Sequence, residues 1–182
     1  MVGNVRCWWQ AVALKSGVTV RSDNAADILE SLKALSGMDV LVGIPADKAA
    51  RDGSPINNAE LGYIQSTGGT VEIDGEVVTL PPRPFLDMGI EDTKPRTIEH
   101  LKAAAVAALD GKKDAALREL ESAGQIARDG AKNVIGAGDR LTPLSEKTIQ
   151  KRRASKPPIL GEKPLYARGF LLRSINYVVR TK

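Results

Sequence analysis

Thr70-Val71-Glu72-Ile73-Asp74-Gly75-Glu76-Val77-Val78-Thr79-Leu80 is the stretch that decides how this chain is read. Two β-favouring runs flank Asp74-Gly75, a dipeptide whose easy access to positive φ suits a two-residue hairpin turn. An antiparallel hairpin among helical segments argues against regular βαβ units. Directly after it, Pro81-Pro82-Arg83-Pro84 lacks an N–H at each proline, so the backbone is expected to leave the hairpin extended and stiff.

Upstream, Asn57 or Asn58 is placed to cap a short helix through Ala59-Glu60-Leu61-Gly62-Tyr63-Ile64 that ends near Gly68-Gly69. Ala46 to Pro55 is polar and rich in turn signals, and reads as a loop. Before it, Met38 to Ile44 is short, apolar and β-branched, closes on Pro45, and reads as a buried strand. Asp23 or Asn24 is expected to cap a helix carrying Ile28, Leu29, Leu32 and Leu35 on one face and stopped by Gly37. Val18 to Arg21 has a short β-favouring alternation, and residues 1–17 read as an arm or first strand.

Downstream lies a helical region broken in two by Gly111. Ile98, Leu101, Ala105 and Leu109 mark the expected inner face of its first half. Leu117, Leu120, Gly124, Ala127, Ala131 and Val134 mark that of the second, where the small residues allow another backbone to come close. Gly136-Ala137-Gly138 ends this helix. Ser145 to Lys156 reads as a short basic helix capped by Ser145 and stopped by Pro157-Pro158. Phe170 to Ser174 reads as a helical turn and Ile175 to Arg180 as a closing strand. The order predicts one α+β domain over residues 18–182, with a mostly antiparallel sheet packed against helices and a projecting hairpin.

The chain has 182 residues, 42% apolar and 26% charged, which is the composition of an ordinary globular protein. Cys7 is the only cysteine and His100 the only histidine, so an internal disulfide, a cysteine-built zinc site and paired-histidine metal motifs are excluded. No apolar run approaches the ~18 residues of a membrane span. Arg6 followed by Cys7 to Leu14 loosely resembles a secretory leader, but Gln10 interrupts the apolar run and Lys15 ends it. A soluble protein made in a reducing cytosol is expected.

The net charge of +4 conceals an asymmetry: residues 140–182 hold 11 Lys/Arg and 2 Glu, a balance of +9, and the first 139 residues carry −5. Opposite halves suit a molecule that meets copies of itself or a polyanion. Lys147, Lys151, Arg152, Arg153 and Lys156 form the densest cluster, able to neutralise phosphates, although no aromatic residue is interleaved for base stacking. The alternative is a basic face paired with carboxylates of a neighbouring subunit.

Signals for chemistry are weak. Gly136-Ala137-Gly138 begins like a dinucleotide fingerprint but lacks its third glycine and follows a helix. No phosphate-cradling loop pattern occurs. His100, beside Glu99 and Lys102, reads as a surface histidine. Glu60, Asp87, Glu91 and Asp92 have no spacing that fixes a catalytic pair. The expectation is a protein that is not an enzyme and needs no cofactor or metal.

Four segments together resemble the tail-completion, or virion-morphogenesis, proteins of long-tailed bacteriophages. They are Val42-Gly43-Ile44-Pro45 at a strand end, Ala59-Glu60-Leu61-Gly62, the box Pro82-Arg83-Pro84-Phe85-Leu86, and Leu141-Thr142-Pro143-Leu144-Ser145-Glu146-Lys147-Thr148-Ile149 followed by Arg152-Arg153. The ending, with Leu165, Gly169, Leu171, Ser174 and Ile175, is similar to the family's as well. Arg168 stands where the family usually has threonine and Ala167 where an acidic residue is common, so no hydroxyl is available to cap the following turn.

The resemblance implies a structural virion protein of the neck or upper tail, which completes the tail or joins it to the head. It would be assembled in the host cytoplasm as a homo-oligomeric ring, a hexamer by analogy. Its partners would be other neck and tail proteins and, through non-specific contacts, genomic DNA; no membrane is involved. Arg83 and Phe85, stiffened by Pro82 and Pro84, are expected as interface anchors together with Glu60, Tyr63, Arg152 and Arg153, the alternative for Phe85 being that it plugs the monomer's own core. Lys147, Lys151 and Lys156 are the candidates to face DNA. The alternative class is a sequence-independent nucleic-acid-binding module built on the basic C-terminal third. Because a lone hairpin is marginal in water, Thr70 to Leu80 is expected to project and to order against a neighbour.

Overall fold

The computed structural model describes residues 25–51, 53–73 and 75–181. The expected N-terminal arm, the Val18 to Arg21 strand and the cap at Asp23 or Asn24 lie outside the described residues. The fold is α+β, with helices packed against a small antiparallel sheet. Helix α1 (Ala25–Ser36) leads into strand β1 (Met38–Gly43), a 3-10 turn (Ala46–Lys48), helix α2 (Asn58–Thr67) and the hairpin β2 (Gly69–Ile73) and β3 (Glu76–Leu80). Then come α3 (Phe85–Leu109), α4 (Lys113–Ala137), α5 (Glu146–Arg153), α6 (Phe170–Ser174) and β4 (Asn176–Thr181).

The expected sheet is in fact two separate two-stranded sheets. β1 pairs antiparallel with β4, Met38 opposite Thr181 and Gly43 opposite Asn176, so the two ends of the described chain close on each other. β2 pairs with β3 from Gly69 opposite Leu80 to Ile73 opposite Glu76, with Gly75 at φ +79°, the positive φ that a two-residue hairpin turn favours. β1 is not the fully buried strand its sequence suggests. With one sheet face covered and the other open, Leu41 remains exposed.

The long antiparallel pair α3 and α4 forms the body. Its seam is set by glycine: a Cβ on Gly89 would overlap the backbone of Ala131, and one on Gly130 would overlap the Gly89 carbonyl. The opposite side of α4 carries β1 and β4, where Gly124 lies under the Tyr177 ring. Arg128 stacks 5.5 Å from the centre of that ring. The inner face expected for α4 is therefore correct except for Leu117, which is exposed, and it extends to Ala116, Ala123, Gly130 and Ile135.

The face expected for α3 is displaced. Phe85, Gly89, Ala104 and Ala108 are the buried residues, while Ile98, Leu101 and Leu109 are exposed. α1 shows the same effect, since Ser31 is its buried residue and Ile28, Leu29 and Leu32 face outward.

Local signals decide most helix ends. Asn57 caps α2 by a reciprocal box: its side chain accepts the Glu60 N–H at 2.9 Å, and its own N–H donates to Glu60 Oε2 at 2.9 Å. Gly138, left-handed at φ +72°, ends α4. Ser145 caps α5, as expected, and α5 ends at Arg153. α6 forms without a hydroxyl cap, because left-handed Gly169 turns the chain and its carbonyl accepts the Arg173 N–H at 3.0 Å. No helix among the described residues is long and apolar enough to cross a membrane.

Candidate functional site

The core lies where the distant segments meet. Phe85, Ala131, Val134, Ile135, Leu141, Leu171 and Ile175 form one buried cluster, with Ile44, Leu86 and Leu165 packed against it. Gly62 brings α2 onto the same cluster, since a Cβ there would stand 2.9 Å from Ile44 Cδ1 and 3.8 Å from the Phe85 ring. Phe85 is thus a core residue and no surface anchor, which corrects the sequence expectation. Its aromatic ring is worth more in a closed apolar cluster than at a wetted rim.

Arg83 is corrected in the same way. It is only 5% exposed, and its guanidinium works as an internal latch. Nε donates to Thr142 O at 2.7 Å, Nη2 to Pro143 O at 3.0 Å and Nη1 to Gln65 Oε1 at 3.0 Å. The main chain adds Arg83 N–H to Gln65 O at 2.8 Å, and Thr142 Oγ1 donates to Pro82 O at 3.3 Å. The two prolines hold the arginine extended, and the planar fork reads carbonyls 59 and 60 residues further along the chain. Nothing in the local sequence signals those acceptors.

Arg152 also turns inward. Its Nη1 donates to Gly161 O and Lys163 O, both at 3.0 Å, and braces the loop that leads to α6. Arg153 stays exposed and pairs with Glu162 of its own chain. Glu60 is exposed but serves the α2 cap. Tyr63, also expected at an interface, faces outward and is 71% exposed. Lys147, Lys151 and Lys156 are exposed on and just beyond α5.

Between these latches lies a groove of about 540 Å³. Arg51, Arg83, Arg152 and Arg168 line it, with an apolar wall that includes Leu61, Val78 and Leu80. A second hollow of about 490 Å³ shares Arg51, Arg168 and Phe170 with the first. Neither has an Asp or Glu among its described lining residues. Sequence reasoning missed Arg51, Arg168 and Gln65 here, because they come from three separate loops and helices. Arg168 reaches Pro157 O at 3.3 Å. Burial pulls the Arg83 guanidinium below its ordinary value, and Arg152 is lowered by burial and then by the charge of Arg83.

His100, Asp92 and Glu91 have structural partners. His100 Nδ1 lies 2.7 Å from Glu119 Oε2, joining α3 to α4, and is half-buried where full solvation was expected. Asp92 pairs with Arg140 and Glu91 with Lys94. Among the described residues no group of three or more His, Cys, Asp or Glu could hold a metal. Compared with protein-family models, curated proteins and solved structures, the chain has no match.

Proposed function

We propose that this chain is a structural virion-assembly protein that completes a phage tail or joins it to the head, acting as a homo-oligomeric ring. The observation that carries the reading is the convergence of the resembling segments. Ile44, Gly62, Phe85, Leu86, Leu141, Leu165, Leu171 and Ile175 come from all of them and meet in one core, and Arg83 locks the Pro82 to Leu86 box to Thr142 and Pro143. The segments whose order carries the resemblance are therefore the ones that define the fold.

A contact-making role is supported by what the fold leaves outside. Ile28, Leu29 and Leu32 on α1, together with Ile98, Leu101, Val106 and Leu109 on α3, are exposed apolar side chains. Tyr63 and the hairpin's Val77 are more open still. Side chains of this kind in such number suit burial by further subunits.

Size-exclusion chromatography with light scattering, followed by negative-stain microscopy, tests the reading. Closed rings of one size are expected. A protein that stays monomeric at high concentration and is missing from purified particles overturns it. Strongly salt-dependent DNA binding by the monomer, lost when Lys147, Lys151 and Lys156 become Glu, would establish the nucleic-acid-binding alternative.

A further inference from the structure

Among the described residues that line it, the arginine groove holds positive charge and no carboxylate. A buried charge is normally paired, because withdrawing it from water without an opposite charge costs several kcal/mol. Arg83 is buried and Arg152 half-buried, and the charge of Arg83 reaches Arg152, yet the acceptors they find are neutral carbonyls and one amide. Arg51 and Arg168 stand exposed beside them and add to the positive field. Part of the lining is apolar, Leu61, Val78 and Leu80 among it, so an occupant that combines carboxylates with apolar side chains suits the groove.

The chain has one segment of that chemistry. Between Gly69 and Leu80 the sequence carries Glu72, Asp74 and Glu76 with no lysine or arginine, alternating with Val71, Ile73, Val77 and Val78. β2 and β3 make their extensive contacts only with each other, and Val77 is 76% exposed.

A hairpin cannot reach the groove of its own molecule. Val78, Thr79, Leu80 and Pro81 form part of that groove's wall, and the turn lies three residues beyond Val78, roughly 10 Å further along the strand. The base is also held firmly, since Gly68 sits at φ +71° with Leu80 O and Pro82 N each 2.8 Å from where a Cβ would be.

We propose that the groove lined by Arg51, Arg83, Arg152 and Arg168 receives the acidic tip of the β2–β3 hairpin of a second copy of the chain. This rests on the self-assembly reading above and names its contact. A tip entering the base region of the next copy joins unlike surfaces, the head-to-tail geometry that closes into rings when the rotation permits. The net −3 of the hairpin offsets guanidinium charge that no described residue of the groove lining opposes, and ordering on the neighbour supplies the packing that a free hairpin lacks.

The test is a charge swap in the full-length chain, read by sedimentation equilibrium, with circular dichroism to confirm that each variant folds. Glu72→Lys with Glu76→Lys, and separately Arg51→Glu with Arg168→Glu, should each weaken self-association by about tenfold or more. The four changes together should restore it to within a few-fold of the parent. In a Cys7→Ser background, Gly75→Cys with Ala167→Cys should give intermolecular disulfides under oxidation, and neither cysteine alone should.

Oligomers that form equally well in every variant would overturn this contact and leave the ring reading standing. A parent chain that never self-associates would overturn both. If the Arg51→Glu, Arg168→Glu variant keeps its oligomer but loses binding to inorganic phosphate or single-stranded DNA, the groove is a phosphate site and the proposal fails.

Discussion

α3 and α4 are both 25 residues long and lie against each other, yet one buries the face its sequence marks and the other does not. The difference is what covers them. α4 is enclosed between α3 on one side and β1 with β4 on the other, so a broad stripe from Ala116 to Ile135 is buried. Among the described residues, α3 has α4 on one side and the partial cover of α1, with its first turn entering the core cluster. Its seam is chosen by the closest backbone approach, at Gly89 and Gly130, and the larger Ile98, Leu101 and Leu109 are turned out of it. Where two helices can come almost into backbone contact, small residues win the interior even though larger apolar residues are present nearby.

This contrast can be tested, and the greatest loss is expected where α3 is best anchored. Phe85→Ala, at the first residue of α3, removes a fully buried ring from the cluster that joins five segments and should cost about 3–5 kcal/mol in urea unfolding. Leu120→Ala on α4, where the side chain is 6% exposed, should cost about 2–4 kcal/mol. The matching Leu101→Ala on α3, 40% exposed, should cost less than about 1 kcal/mol. Equal losses at the two leucines would show that α3 has a partner in solution that covers it.

The seam itself is probed by Gly130→Ala. A methyl there meets the Gly89 carbonyl and the Thr93 side chain, so the helices must separate, at about 1–3 kcal/mol and with no change in the urea m-value. A smaller loss is expected for Gly111→Ala, between the two helices, where φ is +73° but the space around the Cβ is open. Backbone strain alone then sets the cost, about 1 kcal/mol, read as a shift in midpoint temperature.

Legibility followed the range of the interaction. The hairpin at residues 70–80, the Asn57 and Ser145 caps, the end of α4 at Gly138 and the closing strand could all be read, because each is decided by hydrogen bonds or φ preferences within a few residues. The buried face of α4 could be read because its period is unambiguous. Arg83 and Phe85 read from the sequence as stiffly presented interface anchors, because the direction of their side chains is not visible there. A proline-flanked arginine looks the same in sequence whether it meets another protein or a carbonyl 59 residues away in its own chain.

By itself the sequence determined the elements, their ends and the class to which they belong, since these arise from local propensity, capping and periodicity. It also determined the charge asymmetry and the acidity of the hairpin. Only the tertiary structure decided that β1 pairs with β4 across more than a hundred residues, and that the hairpin stands apart as a second sheet. The tertiary structure also decided that the arginines of distant segments line one groove with no carboxylate among its described lining residues. Such outcomes depend on which surfaces can be buried together, a collective property of packing that no local window contains.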